Sequence, residues 1–130
     1  MLLPITLTLG THLMSPLFWH RWEISPKSLF SLLLGLKKYN LPIYITENGV
    51  ADAKDSLRAD FIRDHVQALW LAMKAGVDIR GYFHWSLLDN FEWAESYTKR
   101  FGLVEVDFKI QERKIRPSAY VYRNIISKGL

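Results

Sequence analysis

The sequence predicts an α/β fold built on parallel strands, and three observations carry that prediction. Segments of strand character alternate with segments of helical period, the order that generates βαβ units. The run Ile43-Tyr44-Ile45-Thr46 is short and apolar on both faces, as expected of a strand covered on both sides. The two clearest strands each run into a loop bearing carboxylates, Glu47 after the first and Asp89, Glu92 and Glu95 after the second. Parallel strands deliver their C-terminal loops to one face, so these carboxylates are expected to converge.

Residues 1–21 resist assignment: Ile5 to Leu9 alternates apolar residues with Thr like a short strand, and Gly10 stops it. Ser25-Pro26 supplies an N-cap and a proline at the first helical position. Leu29, Phe30, Leu33, Leu34 and Leu36 then form an apolar face, with Lys37 and Lys38 where the helix dipole favours cations. Asn40 and Pro42 mark the stop. The strand from Ile43 ends at Glu47, and Asn48-Gly49 tolerates the positive φ that turns the chain away.

A long helix follows, with Asp55 or Ser56 as the expected cap and Leu57, Phe61, Ile62, His65, Val66, Leu69, Ala72 and Met73 on its inner stripe. Lys74 falls in its last turn and Gly76 suits a left-handed residue after it. Residues 79–85 form a second, aromatic-rich strand, and the loop 86–100 is aromatic and acidic. Leu103 to Val106 and Lys114 to Ile115 are expected to pair as a hairpin. Arg116-Pro117-Ser118 opens a last helix, with Val121, Tyr122, Ile125 and Ile126 inward and Lys128-Gly129 closing it.

The chain has 130 residues, 49% of them hydrophobic, which suits one domain or a piece of one. Its net charge of +4 and pI near 9.4 come from dispersed lysines and arginines. The densest basic cluster, residues 109–116, also contains Glu112, so no nucleic-acid partner is expected. Without cysteine there is no disulfide or thiolate metal site. Residues 1–19 lack Lys, Arg, Asp and Glu, but Pro4, Gly10, His12, Ser15 and Pro16 interrupt them. They make a poor membrane span and, lacking a cationic start, a poor signal peptide. A cytoplasmic protein is expected.

Trp85, Trp93 and Tyr97 are interleaved with the acidic residues of the second loop. Aromatic rings offer a flat apolar surface to the C–H face of a sugar, and carboxylates accept from its hydroxyls. No glycine-rich phosphate cradle is present, so this pairing suggests a carbohydrate site. Ordinary core packing is the competing account of Trp85 and Trp93, and a polar strand terminus that of Glu47. His84 has two readings, a ligand contact or a hydrogen-bonded structural residue, whereas His65 on a helix stripe reads as structural. No metal-ligand spacing occurs, so neither a catalytic metal nor a cofactor is expected.

These residues reach a resemblance. Ile45-Thr46-Glu47-Asn48-Gly49 resembles the nucleophile motif of the β-glycosidases of glycoside hydrolase family 1. The segment His84-Trp85-Ser86-Leu87-Leu88-Asp89-Asn90-Phe91-Glu92-Trp93 is similar to that family's second sugar-binding motif. Arg100-Phe101-Gly102-Leu103-Val104 and Arg116-Pro117-Ser118-Ala119 recur downstream, and Trp22-Glu23-Ile24 with Pro26 resembles the approach to the helix before the nucleophile strand. The resemblance covers residues 22–130, leaving 1–21 unassigned.

It implies that Glu47 is the catalytic nucleophile and that Trp85 is the platform beneath the sugar. Glu92 would hold two sugar hydroxyls, Trp93 would donate to a third, and Phe101 would flank the same pocket. Ser96 stands where the family usually has glycine, which adds strain if the position needs positive φ. The family's acid/base glutamate belongs to a Thr-x-Asn-Glu-Pro motif, and no Asn-Glu-Pro occurs in this sequence. A (β/α)₈ TIM barrel needs at least roughly 200 residues. The chain is therefore expected to be the C-terminal part of one, with about two of its parallel strands, flanking helices and a β-hairpin. A retaining β-glycosidase of β-glucosides or β-galactosides is implied, carrying the nucleophile without the acid/base. A non-catalytic sugar-binding module and an inactive truncated product are the alternatives. Expected partners are the glycoside substrate and either the missing part of the barrel or a second copy.

Overall fold

A computed structural model describes Ile5–Thr8 and residues 23–129. In order, the elements are β1 (Ile5–Thr8), α1 (Pro26–Leu36), β2 (Ile43–Asn48), α2 (Arg58–Lys74), β3 (Ile79–His84), β4 (Val104–Val106), β5 (Arg113–Ile115) and α3 (Pro117–Lys128). Short 3₁₀ turns at Lys37–Tyr39 and Trp93–Glu95 complete them.

The main sheet is parallel throughout, in the order β1-β2-β3. Ile5 pairs with Ile43 and, past an irregularity, Thr8 pairs with Glu47. The expectation of about two parallel strands is thus corrected to three among the described residues. Residues 5–8 have the alternation of a strand, but their partner lies far along the chain, and local periodicity does not report a non-local ladder. The remainder of residues 1–21 lies outside the described residues.

Helices α1 and α2 cover one face of this sheet. Leu29 and Leu33 of α1, Leu69 and Ala72 of α2, and Val77 pack with Ile43 and Ile45 of β2 in one buried cluster. Side chains alternate along a strand, so Tyr44 and Thr46 point to the opposite face, where they are half-buried. The sequence reading had β2 covered on both sides; among the described residues helices cover one face, and the other is half-buried. In β3 the pairing steps from Ile43–Ile79 to Tyr44–Gly81, leaving Arg80 as an extra residue. This bulge turns Tyr82 toward the helices. Phe83 is 56% exposed. A Cβ on Gly81 would stand 2.7 Å from the Tyr44 ring, so glycine leaves room for that ring.

A second cluster joins Phe61 and Ile62 of α2 to Val50 and Leu103, with Ala119, Tyr122 and Ile125 of α3 packed against it. The antiparallel β4–β5 hairpin forms as expected, with Val104 opposite Ile115. Leu57, Met73 and Ile126, expected on inner stripes, are exposed, so each buried stripe is narrower than the apolar pattern. Gly76 adopts the left-handed conformation expected of it, with φ of 87°, and Asn40, expected to mark the stop of α1, is left-handed too, with φ of 50°.

The caps differ from expectation. Ser25 makes no side-chain cap to α1, and its hydroxyl instead meets that of Ser28 at 2.7 Å. At α2 the capping acceptor is Asp52, whose Oδ2 receives the amides of Leu57 (2.7 Å) and Arg58 (3.1 Å). Asp55 serves α3 instead, accepting from the Ser118 amide at 2.9 Å and the Ser118 hydroxyl at 2.6 Å. Spacing along the chain showed an acidic cap near residue 55. Tertiary contact decides which helix it serves.

Candidate functional site

Glu47 is half-buried, one residue before the end of β2. The neighbouring strand end is bound tightly to it. The Trp85 amide donates to the Asn48 carbonyl at 3.0 Å, and the Tyr82 hydroxyl donates to Asn48 Oδ1 at 3.0 Å. Gly49 lies so close to the Trp85 backbone that a Cβ there would come within 1.8 Å of the Trp85 carbonyl oxygen. The half-buried Trp85 therefore begins its loop beside the end of the Glu47 strand; the peptide joining it to Ser86 is cis.

The base of the following loop is pinned to the β4 segment. Ser86 donates its amide to the Phe101 carbonyl at 3.2 Å and accepts from the Leu103 amide at 2.8 Å, and the Asp89 amide donates to Val104 at 3.1 Å. Phe101 is buried beside this pinned base. Further out, the Glu92 amide donates to the Ser96 carbonyl at 2.7 Å, closing a tight turn around the 3₁₀ residues. Ser96 has φ 53° and ψ −128°, and Trp93 has φ 42°. Glycine occupies the Ser96 conformation without cost, while a Cβ is strained there. Glu92 is half-buried, and Trp93 projects with 77% exposure.

Of the four loop carboxylates, Asp89 and Glu95 are engaged by cations of their own. Asp89 is buried and accepts from both Nη1 (3.0 Å) and Nη2 (2.9 Å) of Arg116, from the Gly102 amide at 2.9 Å and from the Val106 amide at 3.3 Å. Its lone pairs are fully used in holding the base of the loop. Glu95 sits 3.7 Å from Lys99. Among the described residues, no ion pair engages Glu47 or Glu92.

Of the two readings of His84, burial fits the structural one, but the hydrogen bonds expected of it are not made: neither ring nitrogen has a hydrogen-bond partner among the described residues. The ring is buried between Phe61 and Tyr122, with centroids 6.2 Å from each. Burial, reinforced by the Arg58 guanidinium, pushes it down to about 4 and keeps it neutral. His65 is likewise buried; its Nδ1–H donates to the Phe61 carbonyl at 2.8 Å, and burial lowers its pKa.

Sequence reasoning missed the residues that hold these loops in place: Asp52, Arg58 and Arg116. Arg58 is fully buried at the start of α2 and paired with Asp55. It was hidden because an arginine in a first turn reads as a solvated charge, and its bond to the Arg100 carbonyl on the other loop is remote in sequence. Among the described residues no group of three His, Cys, Asp or Glu side chains could hold a metal ion, and no helix is long and apolar enough to cross a membrane.

Adjacent parallel strands whose C-terminal ends lie side by side, with helices packed behind them, define a segment of a parallel α/β fold. The chain belongs to glycosyl hydrolase family 1, whose family model matches residues 12–129. It is 47% identical over 119 residues to a 1,4-β-D-glucan glucohydrolase of Thermotoga neapolitana, covering 83% of this chain and 27% of that protein. It is 44% identical over 109 residues to a β-galactosidase of Saccharolobus solfataricus, covering 83% of this chain and 22% of that one. Among solved structures, a hyperthermophilic β-glucosidase from Pyrococcus furiosus is 50% identical with a TM-score of 0.80, over 83% of this chain and 23% of its own. The family 1 β-glucosidase from Thermotoga maritima is 43% identical with a TM-score of 0.77, over 83% and 27%. The chain thus spans about a quarter of the length of these relatives. The described residues form an open α/β segment with no closed barrel.

Proposed function

We propose that this chain carries the nucleophile and the sugar-holding part of a retaining β-glycosidase site, acting on β-glucosides or β-galactosides. The observation that carries this reading is the knit between the ends of β2 and β3, which sets the Glu47 strand end beside Trp85. Glu47 is the nucleophile. Trp85 is the platform for the sugar ring, Glu92 and Trp93 bind its hydroxyls, and Phe101 supports the pocket wall from its buried position. A relative from Thermotoga maritima has been solved in complex with glucoimidazole, which makes that compound a suitable probe here.

In the first step a Glu47 carboxylate oxygen bonds to the anomeric carbon as the bond to the leaving oxygen breaks. A second glutamate gives that oxygen its proton, then removes one from the water that releases the sugar. The two carboxyl groups must lie about 5–5.5 Å apart. With no Asn-Glu-Pro in the sequence, the second glutamate comes from a separate stretch of polypeptide. Two features support such a partner. The helix-free sheet face carries Tyr44 and the exposed Phe83, and β1 and β3 are the outer strands of the described sheet, offering unpaired edges.

The alternative is a non-catalytic sugar-binding module, and the strong exposure of Trp93 on its tight turn favours it. Co-expression with a segment supplying the preceding barrel strands and an Asn-Glu-Pro motif separates the two. Turnover of an aryl β-glucoside that appears only on co-expression, and is lost in Glu47→Gln, supports the enzymatic reading. Saturable glucoimidazole binding without turnover, unaffected by Glu47→Gln, supports the binding module.

A further inference from the structure

Arg58 does more than begin a helix. Its guanidinium is paired with Asp55, and its Nη2 donates both to the Asp52 carbonyl at 2.6 Å and to the Arg100 carbonyl at 2.9 Å. The Asp52 amide donates to that same Arg100 carbonyl at 2.9 Å. One carbonyl in the loop after β3 is therefore gripped twice from the loop after β2. The Arg100 side chain is held in turn: its Nη1 donates to the Val106 carbonyl at 3.1 Å and stands 3.6 Å from Asp89. Arg58 and the Asp89–Arg116 pair thus meet at Arg100, at the far end of the loop that bears Glu92 and Trp93.

A wholly buried charge is a costly way to stabilise a fold, and apolar replacement of such pairs is often neutral or favourable. Burial accordingly drives the Arg58 pKa down against the pull of Asp55. What the guanidinium supplies is geometry. Its donors lie in one rigid fork and reach a carboxylate and two carbonyls on two loops at once, which neither an apolar side chain nor a single ammonium can do. We propose that Arg58 is a positioning residue that fixes the Glu92–Trp93 loop relative to the strand end of Glu47. The catalytic consequence rests on the site reading given above; the geometric one does not.

The chain has no cysteine, so spin labels attached through Ala53→Cys and Ala94→Cys, both exposed positions, report the distance between the two loops. The double variant Asp55→Asn/Arg58→Met removes the charge pair without stranding either charge and leaves Ser118 an acceptor. Its distance distribution is expected to at least double in width while its thermal midpoint stays near that of the parent; an unchanged width overturns the proposal. Arg58→Lys keeps a cation beside Asp55 but cannot span both carbonyls, and the same broadening is expected. Hydrogen exchange on the unmutated chain decides independently of how any variant folds. The Asp52 amide should exchange as slowly as those of β2, and rapid exchange overturns the proposal. Labelling of Glu47 by a dinitrophenyl 2-fluoroglucoside should slow at least tenfold in the double variant, and labelling at the parental rate contradicts positioning. If the parent chain is not labelled, the site reading fails, and the distances and exchange still decide the role of Arg58.

Discussion

Gly49 and Trp85 stand so close that a single added carbon would overlap the tryptophan carbonyl, at 1.8 Å from its oxygen. This contact, with the Trp85–Asn48 hydrogen bond at 3.0 Å, is what sets the two strand ends side by side. Gly49→Ala must push the backbones apart, and overpacking costs about 1–3 kcal/mol, with a contact against rigid backbone at the upper end. A fall of that size in unfolding free energy is expected by urea titration, with loss of glucoimidazole binding in any fraction that remains folded.

Ser96 predicts the opposite sign. Its φ of 53° with ψ of −128° is a conformation in which a Cβ costs about 1–3 kcal/mol. Ser96→Gly relieves that strain and adds some freedom to the unfolded chain, leaving a net gain of roughly 1 kcal/mol. A raised thermal midpoint, with sharper resonances from residues 92–97, is the expected result.

Asp89 is a structural anchor. Asp89→Asn leaves the buried Arg116 guanidinium without its countercharge, at a cost of about 3–5 kcal/mol. Arg116→Met should cost less when combined with Asp89→Asn than the two changes cost separately, because both break one interaction. Urea midpoints of the two single variants and the double variant measure this coupling.

Acid should weaken the fold through His84. Its folded value of about 4 lies below the ordinary 6.5, so the neutral ring is favoured in the fold. Its contribution is full above about pH 6.5 and is lost as the pH falls toward 4, amounting to about 3 kcal/mol. Arg58 and His65 both oppose charge on the ring, Asp55 opposes them only in part, and His65 itself shifts in the same direction. His84→Gln should flatten the stability profile between pH 4 and 6.5 relative to the parent chain, measured by urea midpoint at each pH.

What could be read in advance followed local physics. Proline 26, Asn40, Gly76 and the Leu29–Leu33 stripe act within a turn or two of chain, and they stand where propensity and period place them. Glu47 and Trp85 were legible as strand ends for the same reason. The misreadings share a cause in long-range contact. β1 exists through its ladder to β2, Asp55 caps α3 rather than α2, and Asp89 turns inward to Arg116 instead of joining Glu92. Arg58 was invisible because its partner Arg100 lies 42 residues away. A bond from a side chain to a distant carbonyl leaves no period in a sequence.

The central claim is that Glu47 is a nucleophile held in a formed pocket. A 2-deoxy-2-fluoro-β-glucoside with a dinitrophenolate leaving group tests it directly, because so acidic a leaving group departs without a general acid. Mass spectrometry of the treated chain is expected to show one fluoroglucosyl unit on the peptide containing Glu47, and none in Glu47→Gln. An unmodified chain, or an adduct on Glu92 in place of Glu47, would contradict the account.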